Sequence, residues 1–244
     1  MTDRHRQQWE ALGRLDPYWA VITDSDKKGG GWDPAEFFAS GEREVAGLMD
    51  QVSRLGIAPA RDVALDYGCG VGRLSRALAA RFGEVLAIDH SESMLAEARR
   101  ANAGFGNIRF MRNDGRTLPE IGTESVDFIY STITLQHVPP DIQRSVIREF
   151  ARVARRGGAV VFQTPSSHNL RTTAGFVQSF VSNRILNAAR RLRHGKGRVM
   201  EVHALPKAEV LELLSAAGLS IVEVERYDVA GDAFVSYRYF ATRP

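Results

Sequence analysis

The stretch that most constrains the fold is LDYGCGVGRLSRAL, residues 65–78. Gly68, Gly70 and Gly72 fall directly after an apolar run and directly before apolar residues at helical spacing, Leu74, Ala77, Leu78 and Phe82. A strand that turns through glycine into a helix aims backbone N–H groups at whatever lies beyond the strand end. The alternation continues. Strands are predicted over 62–68, 84–90, 107–113, 125–132 and 159–165, with helices over 72–82, 91–103 and 139–154. Ser91 reads as an N-cap with Glu92 in the first turn, the prolines at 139–140 as a helix start, and Gly157–Gly158 as that helix's end. This pattern predicts an α/β, Rossmann-like, doubly wound and mostly parallel sheet covered on both faces. The tail differs. A helix over 207–218, closed by Gly218, precedes strands over 219–227 and 233–243 with a turn through Gly231, which predicts an antiparallel hairpin.

Composition excludes several classes. Among 244 residues, 44% are hydrophobic and 25% charged, ordinary globular values. No apolar run approaches the ~18 residues needed to span a bilayer. The opening MTDRHRQQWE lacks the apolar core of a secretion signal, and the single cysteine, Cys69, excludes an internal disulfide, so a cytoplasmic protein is expected. Charge is uneven. Between Phe150 and Met200 there is no acidic residue, only Arg152, Arg155, Arg156, Arg171, Arg184, Arg190, Arg191, Arg193, Lys196 and Arg198. The first three read as favouring a helix C-terminus. The others, in a chain whose remainder is acidic, read either as a solvated face or as a mark of an anionic partner.

The glycine turn itself is selective. Dinucleotide enzymes use G-x-G-x-x-G/A, but here the last position is Arg73 and the third glycine, Gly72, comes one residue early. The preceding strand ends in Asp66, which would repel phosphate and suits an ammonium group. These two departures disfavour a nicotinamide dehydrogenase. The second strand ends in Asp89, placed to accept from both ribose hydroxyls, and the third runs into Asn113, Asp114 and Gly115, where a carboxylate can accept from an adenine amino group. Together these describe a nucleoside with an amino-acid-like end and no phosphates.

VALDYGCGVGRLSRALA, VLAIDHSESMLAEARR, IRFMRNDGRTLP, SVDFIYSTITLQHVPP and VARRGGAVVFQTP, in this order and spacing, resemble the class I S-adenosylmethionine-dependent methyltransferases. The resemblance covers about residues 60–165 and, more loosely, 206–243. It implies a seven-stranded sheet whose last strand is antiparallel, in agreement with the hairpin, and S-adenosylmethionine as cofactor. Carried over by position, it implies that Asp66, Gly68 and Gly70 approach the methionine part, with Cys69 between them, and that Asp89 holds the ribose. His90 and Met94 would flank the adenine. Asp114, with Asn113 and Gly115 in the same turn, would meet its amino group. Ser131 would lie under the sulfonium, with Thr132 and His137 close by. Plainer readings stand beside these: Gly72 for tight packing, Cys69 as a loop filler, Met94 as helix core, His137 as a cap of the next helix.

The methyl acceptor is not fixed by these motifs. The chain divides into an N-terminal helical and aromatic cap (1–59), a cofactor-binding core (60–165), a basic helical insertion on the acceptor side (166–205) and a C-terminal helix and hairpin (206–244). Tyr18, Trp19, Trp32, Phe37 and Phe38 read as a helix packed on the sheet or as a lid over the cofactor. In the insertion, Val177, Val181, Ile185 and Leu192 fall on one side of a predicted helix, with Arg184, Arg190, Arg191 and Arg193 on its polar surface. Glu201 and His203 follow on the acceptor side, and His203 and His137 are candidate bases. No Asp/His cluster has metal-ligand spacing, so no metal is expected. The expected function is methyl transfer to oxygen or nitrogen of a small acceptor, anionic acceptors included. The alternatives are an RNA methyltransferase and a non-catalytic cofactor-binding module. No stable nucleic acid partner is expected, because the aromatics are not interleaved with the basic run; weak contact with an anionic surface stays open.

Overall fold

The computed structural model describes residues 3–180 and 200–244. Two short N-terminal helices, α1 (Asp3–Leu15) and α2 (Pro17–Val21), precede a long one, α3 (Pro34–Arg54). The alternating region follows: β1 (Val63–Tyr67), α4 (Arg73–Ala79), β2 (Glu84–Asp89), α5 (Glu92–Ala101), β3 (Ile108–Arg112), β4 (Val126–Ser131), α6 (Pro140–Val153) and β5 (Ala154–His168). Then come α7 (Thr173–Phe180), α8 (Lys207–Ala216), β6 (Ser220–Arg226) and β7 (Phe234–Thr242). Among the described residues the strands form one seven-stranded sheet in the order β3-β2-β1-β4-β5-β7-β6. The first five are parallel, and β7 pairs antiparallel with both β5 and β6.

The period-2 alternation of the strands sorts the core into two layers. On one face Ala64, Val85, Phe128, Tyr130 and Val161 meet Val45, Leu48 and Val52 of α3 and Leu74, Ala77 and Leu78 of α4. On the other, Leu65, Leu86, Ile129, Val160 and Phe162 meet Val146, Ile147 and Phe150 of α6 and Val210 and Leu214 of α8. Each fully buried Phe or Leu here contributes on the order of 1.5–3 kcal/mol. The caps are local. The Asp33 carboxylate accepts from Glu36 N–H at 2.9 Å and the Ser91 hydroxyl from Met94 N–H at 3.3 Å, starting α3 and α5.

Two expectations need correction. Gly157–Gly158 do not end α6. The helix stops at Val153 and β5 begins at once, with a register shift against β4 between Val126 and Phe128. Arg155 therefore does not serve a helix end. Its guanidinium lies 2.7 Å from the buried carboxylate of Asp127 and pins the bulge, while Asp127 also accepts from the N–H groups of Asp62 and Val63. Arg152 does sit in the last turn of α6, paired with Glu149 at 2.8 Å. The predicted helix carrying Val181, Ile185 and Leu192, and the arginines at 184, 190, 191 and 193, lie outside the described residues.

Candidate functional site

The sheet order reverses between β1 and β4, so the connections from these strands diverge and leave a crevice beyond their C-terminal ends. A cleft of about 690 Å³, open solvent at its mouth included, occupies that place. Its floor comes from Tyr67, Gly68 and Gly70 after β1, Ile88, Asp89 and His90 at the end of β2, and Asn113 and Gly115 after β3. Thr132, Ile133, Thr134, His137 and Val138 after β4 form its far wall, Met94 of α5 one side, and Trp9, Ala20 and Val21 of α1 and α2 its roof.

The glycine turn is held from below and pressed from above. Gly68 and Cys69 donate their N–H groups to the Ile88 carbonyl at 2.7 and 2.9 Å. Gly68 has φ +81°, and a Cβ there would lie 2.1 Å from the Thr134 methyl, so no other residue fits. Asp89 ties two loops together, accepting from Gly70 N–H at 3.0 Å and from Ser91 N–H at 2.8 Å. Gly72 is a packing residue as well: φ is +80°, and a Cβ would meet the Asn102 amide at 2.7 Å. Arg73, the misfit to a dinucleotide turn, points away from the cleft; buried, it pairs with Glu44 of α3 at 2.7 Å.

Of the residues singled out from the sequence, Gly68, Gly70, Asp89, His90, Met94, Asn113, Gly115, Thr132 and His137 line the cleft. Others stand behind it. Asp66 is buried beneath the turn, where its carboxylate accepts from the Ser75 hydroxyl at 2.6 Å and burial pushes its pKa up to about 7. Cys69 packs with Ala87 and Leu95, and burial pushes its thiol well up. Ser131 donates its hydroxyl to the Tyr67 carbonyl at 2.9 Å. The Asp114 carboxylate caps its own turn, accepting from Arg116 and Thr117 N–H. Burial alone would raise its pKa, but those two bonds, with the Thr117 hydroxyl and the positive N-terminus, together hold the group below its usual range. Asp114 faces an adjoining polar cleft with Arg112 and Arg116, which shares His90 and Asn113 with the main one.

His137 is buried and its surroundings keep it neutral: desolvation pulls its pKa down to about 4, only partly offset by the Glu201 carbonyl. Its Nδ1 lies 2.8 Å from that carbonyl and its Nε2 3.1 Å from the Gln136 amide nitrogen. His203 is half-buried, its Nε2 3.8 Å from the Glu201 carboxylate, and its N–H donates to the Gln136 carbonyl at 2.7 Å. His203 and Glu201 support the His137 wall from outside the cleft. Among the described residues no group of three or more His, Cys, Asp or Glu could hold a metal ion.

Trp9 was not singled out from the sequence. Its ring spans the roof, edge-on to His90 at 6.4 Å and to His137 at 5.2 Å between centroids. The signal was present in α1: Trp9 and Leu12 are three residues apart on one helical face. The aromatics that were singled out, Tyr18, Trp19, Trp32, Phe37 and Phe38, pack mainly on one another and on Val71 and Met94, backing the cleft rather than lining it.

The residues present fit a nucleoside with an amino-acid tail. The walls are mostly apolar, an acidic group closes the β2 end, and the buried Thr132 hydroxyl on the far wall has no hydrogen-bond partner among the described residues. Residues 64–158 match a family described as methyltransferase domain. The chain is 33% identical to a trans-aconitate 2-methyltransferase of Streptomyces avermitilis over 56% of this chain and 51% of that one. It is 29% identical to a ubiquinone biosynthesis O-methyltransferase of Hahella chejuensis over 80% and 82%. The fold matches that of the magnesium protoporphyrin IX methyltransferase of Synechocystis PCC 6803 with bound SAH, at a TM-score of 0.63, 22% identity and 98% coverage of both chains. The chain spans about half the length of several of the curated relatives it matches. The order of the sheet, the glycine turn and these likenesses agree on one fold, that of S-adenosylmethionine-dependent methyltransferases.

Proposed function

We propose that the protein transfers a methyl group from S-adenosylmethionine to an oxygen or nitrogen of a small acceptor. The observation that carries this reading is the single cleft that runs from the Asp89 carboxylate, past the glycine turn, to Thr132 and His137 under the Trp9 roof. Asp89 would accept from the ribose hydroxyls, and His90 and Met94 would flank the adenine beside Asn113 and Gly115. The turn at Gly68 and Gly70 would leave room for the methionine part, with Asp66, Cys69, Ser131 and Asp114 supporting these positions from behind. When bound, S-adenosylmethionine supplies an electrophilic methyl group on a charged sulfonium.

The chain's own contribution is then placement and exclusion of water. Holding the two reacting atoms in line is worth up to ~7–11 kcal/mol in the best cases. A hydroxyl acceptor also needs a proton acceptor, typically worth ~10²–10⁴-fold. His137 is neutral, but its Nε2 faces the Gln136 amide, so any proton would be taken only after that bond yields. His203 beside Glu201 stays the other candidate base, although both stand outside the cleft. Segment 166–205, with its basic run, is assigned to the acceptor on charge alone, together with weak contact with anionic surfaces. A cytoplasmic location belongs to the same reading, on the single cysteine.

Calorimetry with S-adenosylhomocysteine tests the cofactor half; absence of binding at millimolar ligand would overturn it. Labelled S-adenosylmethionine then tests the acceptor half against trans-aconitate, malonyl-[acyl-carrier protein] and phosphoethanolamine, after which relatives are named. RNA incubated in parallel should stay unlabelled.

A further inference from the structure

Behind the far wall of the cleft runs a chain of buried amides that the reading above does not use. Gln163 of β5 is fully buried, in a strand otherwise packed with Val160, Val161 and Phe162. Its Oε1 accepts from Ile133 N–H at 3.0 Å. Its Nε2 donates to the Ser236 hydroxyl of β7 at 2.5 Å and to Gln136 Oε1 at 3.3 Å. Gln136 Nε2 in turn meets His137 Nε2, and His137 Nδ1 meets the Glu201 carbonyl. A polar chain in so apolar a core is costly unless every group is satisfied.

The direction of the chain is fixed from both ends. Ile133 N–H can only donate, so Gln163 must present its oxygen there and its NH₂ to Gln136. Gln136 must then present its oxygen to Gln163 and its NH₂ to His137. That leaves His137 Nε2 bare and the ring proton on Nδ1. The Glu201 carbonyl, which can only accept, independently demands the same tautomer. A second observation bears on the same amide. Ile133 has φ +58°, a left-handed conformation that a β-branched residue rarely adopts, and it lines the cleft between Thr132 and Thr134. The hydrogen bond from its N–H to Gln163 is what the strained residue gains from this conformation.

We infer that Gln163 is a positioning residue for methyl transfer. From inside the sheet it holds the Thr132–Thr134 wall in its left-handed kink and orients the Gln136 amide that meets His137 Nε2, so that this wall is preset where an acceptor meets the cofactor. The inference rests on the reading of the cleft as a methyl-transfer site. It adds a residue that touches neither ligand and whose role passes through Ile133 and Gln136.

The test uses two probes and one spectrum. S-adenosylhomocysteine carries a bare thioether sulfur, whereas sinefungin carries an amine-bearing carbon in place of the sulfonium and its methyl group, so their affinity ratio reports on the far wall. In Gln163→Leu the sinefungin affinity should fall about tenfold relative to S-adenosylhomocysteine, which should stay within about twofold of the parent protein. Nitrogen-15 spectra should show His137 protonated at Nδ1 in both proteins, held there by the Glu201 carbonyl, with the bare Nε2 resonance moving in the variant as its bond from Gln136 loosens. An unchanged ratio together with an unchanged Nε2 resonance in a folded variant overturns the inference. If Gln163→Leu does not fold, Gln136→Met removes both side-chain bonds of Gln136 and carries the same two readouts. If the parent binds neither probe, the methyl-transfer reading fails, and the Nε2 resonance alone then decides whether Gln163 acts on the ring.

Discussion

Asp89 carries two duties at once, and its replacement should separate them. Its two oxygens hold Gly70 N–H and Ser91 N–H, and in the proposed complex they also accept from the ribose. A hydrogen bond to a charged group is worth ~1.5–3 kcal/mol, so Asp89→Ala should weaken S-adenosylhomocysteine binding by about 30-fold or more. Loss of the two loop contacts should also lower the melting temperature by a few degrees, on the order of 2–4 °C per kcal/mol for a chain of this size. Calorimetry with unchanged affinity would remove the ribose assignment. Asp66 makes a different prediction, about pH. Burial raises its folded pKa from 3.8 to about 7, so between those values the folded state binds more protons than the unfolded one. Stability from this group therefore falls as pH rises from about 4 to about 7, and is flat above. Asp66→Asn should abolish that fall, so the melting temperature of the variant relative to the parent should climb across that range. His137, with its folded pKa lowered to about 4, acts with the opposite sign but is common to both proteins and cancels in the difference. Parallel melting curves against pH would show that Asp66 does not titrate there.

At the level of elements, α1 is docked on α5 by contacts that can be cut singly. The Glu10 carboxylate accepts from Glu92 N–H at 2.6 Å and Ser93 N–H at 3.2 Å, capping α5 from another helix. Burial alone would raise its pKa, but these bonds outweigh that and lower it. The docking is thus complete above the usual carboxylate range and weakens as pH falls below it. Gly13 packs so closely that a Cβ would lie 2.4 Å from the Ser93 hydroxyl, and Tyr18 of the adjoining α2 donates to Glu97 at 2.8 Å. Glu10→Ala should speed amide exchange in α1 by about three- to tenfold for each bond lost, at ~0.5–1.5 kcal/mol each, and loosen the Trp9 roof. Gly13→Val should do the same by a different route, and unchanged exchange in both variants would show that α1 is held elsewhere. This docking also marks what the sequence conceals. The strands, the glycine turn and the hairpin were legible because alternation, turn residues and spacing are local. Asp89 was read from the strand end it closes, and Met94 and His137 from the resemblance; all three line the cleft. The early start of β5 was not, because its bulge depends on Asp127, 28 residues from Arg155. Nor was the roof, since α1 reads as a charged segment until Trp9 is seen across two histidines from other strands. Gln163 and Ser236 look like ordinary polar strand residues until the sheet brings them together, 73 positions apart.

The molecule as a whole should respond to the right nucleoside and to no other. A ligand at 100 times its dissociation constant adds ~2.7 kcal/mol, which for a chain of 244 residues is a rise of roughly 5–11 °C in melting temperature. S-adenosylhomocysteine should produce it and NAD should not; the reverse would overturn the family's cofactor for this chain. The same scale holds the charge imbalance. Within the basic stretch, Arg152 and Arg155 are neutralised by Glu149 and Asp127, so the excess falls on Arg156 and Arg171 and on Arg184, Arg190, Arg191, Arg193, Lys196 and Arg198, the last six outside the described residues. The stretch rejoins the described chain at Met200, immediately before the Glu201 carbonyl that holds His137. Replacing Arg190, Arg191 and Arg193 by Ala should leave S-adenosylhomocysteine affinity within about twofold and raise the KM of an anionic acceptor found in the panel above. Added salt should raise the KM of the parent protein in the same way, because exposed charges are screened beyond ~8 Å at physiological ionic strength. A triple variant that loses S-adenosylhomocysteine would make the run part of the cofactor site. One that changes neither constant would make its arginines a solvated face.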